Sequence, residues 1–431
     1  MVLTGRFALI ALAAAVFVAV VVPSWLGVLL ASGLLVVLAL ADFTMTPRAD
    51  RISLRRPELT TVRLGTAANV ELVVGNEDTR RIRGMLWQDW PGSAQAQRRR
   101  VALSVPPGKL VRYGNVLTPL HRGDRVAGPV TVRLIGPLGL AGAQTRHDVP
   151  ARIRALPAFR SEKLLNSRVR LLRHLEGRNV ALIRGQGTEF DSVREYVAGD
   201  DVRSIDWRAT ARADDVMVRT WRPERNRNVL LLLDTGRVSA GRVGDTTRLD
   251  AAMEAALLLG GLAAAAGDTV GMLAYDRQVR AEVRGVSGKQ LQLRLMHAMA
   301  GLQATLVDTD CAALVRAAVH RCRGRSLVVW FTNVESGQLH EYLLPVLPAL
   351  VRRHHVLIVS VTDPDLAAAA RRRDTLDDIY LAAAAEGTLA DRELVRQTLR
   401  GKGVAVVAAP PERLAAELAD AYLELKRAGT M

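Results

Sequence analysis

The sequence predicts an α/β protein in three parts: an N-terminal transmembrane helical hairpin, a small antiparallel β-sandwich, and a doubly wound parallel sheet. Three observations carry this reading. Residues 7–22 and 25–41 are apolar apart from Ser32, and Pro23-Ser24 separates the two runs. Between about residues 51 and 156, short alternating apolar runs are broken by Gly, Pro and Asn. From residue 228 onward, aliphatic strands alternate with helical stretches. The segments are therefore 1–46 (hairpin), 47–157 (sandwich), 158–227 (connector) and 228–431 (α/β domain).

Each apolar run of the hairpin makes a helix about 25 Å long at ~1.5 Å per residue. That is short of a hydrocarbon core of about 30 Å, and flanking residues compensate. A single run behind Arg6 would read as a signal peptide, but a second run directly after it argues against removal. Arg6 precedes the first run, and Arg48, Arg51, Arg55 and Arg56 follow the second. Arginine on both flanks predicts both ends on the cytoplasmic side. The expected location is the inner (cytoplasmic) membrane, multi-pass, with the globular region in the cytoplasm.

Hydrophobic residues make up 49% of the chain and aromatics only 4%, so the cores rest on Leu, Val and Ala. The net charge is +16. Its surplus falls before about residue 185, next to the anchor, which favours an anionic membrane surface as partner. No basic platform interleaved with aromatics is present, so nucleic acid is not expected. The two cysteines, Cys311 and Cys322, have no C-x-x-C spacing. They read as small buried hydrophobes in a reducing compartment.

In the sandwich, residues 69–74 run into Gly75-Asn76, and residues 130–135 into Gly136-Pro137. Both are strands ending at turns. Trp87 and Trp90 are expected in its core. In the α/β domain, strands are predicted at 229–233, 269–274, 326–331, 356–361 and 404–408. Helices are predicted at 249–266, 290–299, 312–319 and 342–351, over an Ala-rich stretch, and from Glu412. Sheets of this class bind ligands at the carboxyl ends of their strands, where Asp234, Asp276, Asn333 and Asp363 form a polar rim. His354-His355 is expected to place a favourable charge at a helix carboxyl end.

Residues 184–227 balance many carboxylates against bases that are all arginine. Arginine's planar fork makes bidentate carboxylate pairs, so an ion-pair network is predicted. It serves as a brace, as a partner-docking surface, or as both. Gly185 and Gly187 lack the further glycine or the Gly-Lys-Ser/Thr of a phosphate loop.

The run Arg184-Gly185-x-Gly187-x-Glu189-Phe190, then Arg194-Glu195-Tyr196, Gly199-Asp200-Asp201, Arg203 and Ile205-Asp206-Trp207-Arg208, resembles a known signature. It is that of the bacterial domain-of-unknown-function family fifty-eight. Arg122-Gly123 and Gly136-Pro137-Leu138-Gly139-Leu140 resemble the family's sandwich part. The resemblance covers most of the chain. It implies a C-terminal domain similar to von Willebrand factor type A and a link to MoxR-type AAA+ ATPases, but no assigned biochemical activity.

The resemblance also implies a metal question. Type A domains often hold Mg2+ through Asp-x-Ser-x-Ser, a Thr from a second loop and an Asp from a third. Here the first loop reads Asp234-Thr235-Gly236-Arg237-Val238-Ser239, with Gly and Val at both hydroxyl positions. Thr309 stands for the second loop and Asn333 for the third. Asp234 and Thr309 are thus the remnant of a degenerate ligand set, and Asp234 is expected to cap its loop instead. No Gly-x-Ser-x-Gly elbow, His-Glu-x-x-His or phosphate loop is present. The expected function is a membrane-anchored, non-enzymatic scaffold or assembly factor acting with an AAA+ ATPase of the MoxR type. The alternatives are a metal-dependent hydrolase using Asp234, Asp276 and Asp363, and lipid binding by the basic sandwich.

Overall fold

A computed structural model describes residues 1–182, 189–213, 215–222, 227–288, 290–322, 324–333 and 339–428. Internal contacts divide the chain into two units, Met1–Ala158 and Phe159–Met431.

The first unit opens with a short strand, β1 (Val2–Leu3), and two apolar helices, α1 (Gly5–Val21) and α2 (Trp25–Thr44). Thr4 caps α1 by accepting Phe7 N–H, and Ser24 caps α2 by accepting Gly27 N–H. Pro23 falls between them, where its missing N–H costs nothing. Both helices are apolar on every side except at Arg6 near the start of α1 and Asp42 near the end of α2, and they leave Leu9, Phe17, Val20, Trp25, Leu29 and Val37 exposed. Such surfaces need an apolar surround. Among the described residues, one helix, spanning Trp25–Arg51, is long and apolar enough to cross a membrane, and Gly5–Val21 is a shorter apolar helix.

Ten strands follow: β2 (Ile52–Arg55), β3 (Leu59–Arg63), β4 (Ala68–Asn76), β5 (Ile82–Gln88), β6 (Arg100–Val105), β7 (Leu110–Leu117), β8 (Gly123–Val126), β9 (Val130–Ile135), β10 (Ala141–His147) and β11 (Arg152–Leu156). They form sheets of order β1-β10-β9-β5-β6, β2-β4-β7 and β3-β11-β8. Inward residues at alternate positions, such as Leu72 and Val74 or Val130, Val132 and Leu134, build the core. Two expectations are corrected. β3 and β11 pair in parallel, so the sandwich is not purely antiparallel. Trp90 is buried, but Trp87 is only half-buried and lies under the Arg133 guanidinium.

The second unit begins with α3 (Glu162–Leu182), inside the segment that composition marks as a connector. Leu172 and Leu175 are buried, and Arg168 pairs with Asp420 at 2.9 Å. A two-stranded arm follows, β12 (Glu189–Glu195) with β13 (Met217–Arg222), enclosing the short helix α4 (Trp207–Thr210). Then come β14 (Asn228–Asp234), α5 (Arg237–Ala240), the small hairpin β15 (Arg242–Val243) and β16 (Thr246–Thr247), α6 (Arg248–Ala265), β17 (Thr269–Tyr275), β18 (Val279–Val286), α7 (Gln290–Ala300) and α8 (Cys311–Arg321). The chain continues through β19 (Ser326–Phe331), a π-helical turn at Leu339–Leu343, α9 (Leu347–Val351), β20 (His355–Val361), α10 (Pro364–Ala369), α11 (Leu376–Gly401), β21 (Ala405–Ala409) and α12 (Pro411–Arg427).

These strands form one six-stranded sheet of order β18-β17-β14-β19-β20-β21. Five strands are parallel, and the edge strand β18 is antiparallel to β17, so the sheet is mixed rather than wholly parallel. Leu230 and Leu232 of β14 pack with Leu314 of α8 and Leu347 of α9. Period-two alternation turns Leu231 and Leu233 to the other face. Asp268 clamps the amino end of the sheet to α12, accepting Tyr422 Oη–H at 2.5 Å and Lys426 Nζ–H at 2.8 Å. The expected charge at His354 is also corrected. Its ring is buried, and burial, helped by the nearby Arg353 charge, pushes its pKa down and favours the neutral imidazole. His355 opens β20, and its ring nitrogen accepts Arg325 Nε–H at 3.1 Å.

Candidate functional site

Two places concentrate the residues singled out from sequence: the carboxyl-end rim of the sheet and the β12–β13 arm. At the rim, the central strand β14 ends in Asp234, which is almost wholly buried. Oδ1 accepts Thr309 Oγ1–H at 2.5 Å and Gly236 N–H at 2.8 Å, and Oδ2 accepts Thr332 Oγ1–H at 2.7 Å. Burial drives its pKa upward, and the three donors oppose that shift without cancelling it.

Asp276, one residue beyond β17, is also buried but sits opposite a cation. Its Oδ2 accepts Arg280 Nε–H at 2.7 Å and Thr305 Oγ1–H at 2.8 Å, and Oδ1 accepts the backbone N–H of Arg277 and Gln278. Burial again pushes upward, but Arg280 and the other donors outweigh it, and the net shift is down. One loop therefore serves both carboxylates, with Thr305 reaching Asp276 and Thr309 reaching Asp234. Its backbone is tied in at Thr305 N–H to Thr235 O and at Arg237 N–H to Val307 O, both 2.8 Å.

Gly236 explains why the first loop lacks its hydroxyl. A Cβ there would run into Thr309 Oγ1 and approach Val307 O at 2.8 Å. The Thr309 hydroxyl occupies the space a serine side chain would need. Val238 offers no oxygen. Asn333 is turned into β20 instead, donating Nδ2–H to Val361 O at 2.8 Å and accepting Val361 N–H at 3.1 Å. Mg2+ demands near-octahedral oxygen ligands. One carboxylate already engaged by two hydroxyls, with no further free oxygen from these positions, does not fit it. Asp363 has a different task, accepting Asp365 N–H as the cap of α10.

The cavity over Asp234, bordered by Arg237, Thr309, Cys311 and Tyr342, holds only about 40 Å3. That is room for a water or two, against several hundred cubic ångströms for an ordinary ligand pocket. Burial and the neighbouring Asp234 and Asp310 push the Cys311 thiol up to about 12, which disfavours the reactive thiolate. Cys322 is likewise a free, partly buried thiol pushed up by burial.

The arm gathers most of the signature residues. Arg194 Nη2–H meets Asp200 Oδ1 at 2.6 Å, and Asp200 also accepts Val197 N–H. Gly199 has φ +109°, a conformation that side chains rarely adopt. Asp201 caps the turn at Arg203, accepting its N–H at 3.0 Å. Asp206 caps α4 through Arg208 N–H and Ala209 N–H and binds Arg219 Nε–H at 2.7 Å. These arginines hold Asp200 and Asp206 below the usual carboxylate range. Every described signature aspartate is thus engaged within the arm. Trp207 is 71% exposed, Val197, Val202 and Tyr196 are exposed, and so are the charged residues Glu195, Asp201, Arg203, Arg208 and Asp215.

Glu189 and Phe190 open β12 opposite Arg222 and Trp221. Arg184, Gly185 and Gly187 lie outside the described residues. Sequence reading did not single out Thr332 or Thr305. Their signal is a hydroxyl residue just past the end of β19 and another in the loop before α8.

Residues 192–369 match the family described as Protein of unknown function DUF58, a span that includes most of the arm and the rim. Uncharacterized proteins of Mycobacterium bovis and Mycobacterium tuberculosis are 27% identical over 255 residues, 56% of this chain and 80% of theirs. Among solved structures, a PapD-like domain of human CEP192 is similar over 26% of this chain and 89% of its own, at 12% identity and TM-score 0.19. A fragment of Escherichia coli alpha-2-macroglobulin is similar over 25% of this chain and 17% of its own, at 12% identity and TM-score 0.20. Likenesses at these scores carry no argument.

Proposed function

We propose that this chain is a membrane-anchored protein-binding scaffold or assembly factor, multi-pass in the inner membrane, with its globular units in the cytoplasm. Its α/β unit is read as similar to von Willebrand factor type A. The order β18-β17-β14-β19-β20-β21 with one antiparallel edge strand supports that reading. The observation that carries the binding function is the arm. Its Asp200, Asp201 and Asp206 are tied to its own turns and arginines, while Trp207, Val197 and Val202 are exposed, as are Arg203 and Arg208. An exposed tryptophan together with exposed arginines is the composition enriched at interface centres. The partner class, an AAA+ ATPase of the MoxR type, rests on the family resemblance. The hydrolase reading has less support, since the rim cavity is small and its two buried aspartates are closed off by protein donors.

The test places a photo-crosslinking side chain at position 207 of the full chain in native membranes. A discrete protein adduct is expected, absent when the same group stands at Leu110, an exposed sandwich position. Identical adducts at both positions, or none at 207, would overturn the reading.

A further inference from the structure

Asp42 lies two residues before the end of α2, in the last turn of an apolar helix. That is an unfavourable place for an anion, because the helix carboxyl end already carries partial negative charge. Yet Asp42 is completely buried. Its Oδ1 accepts Leu138 N–H at 2.7 Å, and its Oδ2 accepts Leu140 N–H at 2.7 Å and Ala141 N–H at 2.8 Å. Three N–H groups of one turn thus converge into a concave anion receptor.

The turn is shaped for this guest. A Cβ on Gly136 would strike the Asp42 carboxylate, and Gly139 has φ +74°. These are the two glycines of Gly136-Pro137-Leu138-Gly139-Leu140, which the rim and the arm do not use. The same turn holds the other end of the hairpin. Thr4 Oγ1–H donates to Gly139 O at 2.6 Å, Thr4 N–H donates to Leu140 O at 3.0 Å, and Val2 and Leu3 pair with Gly142 and Ala141.

We propose that turn 136–141 is an internal carboxylate receptor that latches both ends of the hairpin to the sandwich, so that anchor and sandwich move as one rigid body. The inference rests on the membrane reading above. It adds that the anchor holds the sandwich in one orientation instead of tethering it loosely.

Hydrogen exchange of the full chain in lipid nanodiscs tests this. In the native protein the peptide covering 136–142 is expected to exchange slowly. In Asp42→Ala and in Gly136→Ala it should exchange at least tenfold faster, with β14 peptides unchanged as the folding control. Asp42→Asn keeps the shape, loses one acceptor oxygen and should fall between. It carries the test should Asp42→Ala not fold. Equal exchange at 136–142 in native and variant chains would overturn the latch. Failure of the membrane reading is a separate result: release of the native chain from vesicles by alkaline carbonate.

Discussion

Asp42 Oδ2 and the backbone N–H of Leu140 meet at 2.7 Å across 98 residues of chain. With Thr4 held by the same turn, both ends of the hairpin lie on one side of it. The proposed topology then has a direct consequence for labelling. With the native thiols partly buried, cysteine at Trp25 should react in intact cells with a reagent that does not cross the membrane, and cysteine at Leu3 should not. Reaction at both positions would exclude a hairpin with cytoplasmic ends.

Asp234 gives a pH prediction with a definite sign. Its folded-state pKa is raised by burial above the unfolded value of about 3.9, so the folded state holds the proton more tightly. Its contribution to stability is present below the unfolded pKa and is lost as pH rises through the folded one. Asp234→Asn removes this titration. The melting temperature of the variant relative to native should therefore rise as pH increases from acid towards neutral. A constant difference across that range would show that Asp234 is not raised.

Gly236 and Thr309 form a testable pair. Gly236→Ala forces its Cβ onto the Thr309 hydroxyl and should cost about 1–3 kcal/mol, the usual range for overpacking. Thr309→Ala in the same chain should relieve much of that cost. Denaturant melts of the two single variants and the double variant read the coupling; additive costs would show that the contact does not govern the loop.

At the amino end of the sheet, Asp268 is buried with Lys426 and Tyr422. Removing one partner strands a buried charge, so Asp268→Ala should destabilise by about 3–5 kcal/mol. Tyr422→Phe removes a single donor and should cost about 1–3 kcal/mol. Equilibrium unfolding by tryptophan fluorescence separates the two, and equal losses would contradict the assignment.

Trp207→Ala removes an exposed side chain with little packing, so stability should stay within about 0.5 kcal/mol of native. Partner capture from membranes should be lost. Thermal melting with co-purification checks both, and a large drop in melting temperature would mean that Trp207 is structural.

The parallel strands were legible because they are buried on both faces: all six residues of Ser326–Phe331 are buried, and they spell an almost unbroken apolar run. β18 was not, since it is an edge strand whose Arg and Glu residues interrupt the aliphatic signal. Leu164, Leu165, Leu172 and Leu175 spell the helix at 162–182, but the arginine-rich composition around them reads as a connector. At the rim, Asp234 and Thr309 could be placed from their loops. The closure of that site by Thr332 could not, because the contact joins residues 98 positions apart. Asp42 is hidden for the same reason: locally it is one carboxylate after an apolar run, and its three donors lie in a distant turn.

That distance also sets an order of events during synthesis. At about 5–20 residues per second, the turn that receives Asp42 follows it from the ribosome by roughly 5–20 s. For that interval the second helix carries a carboxylate without the partners it later meets. On the proposed topology, insertion of the hairpin and docking of its end are therefore separate steps, and a chain stalled before residue 138 would lack the contact that orients its anchor.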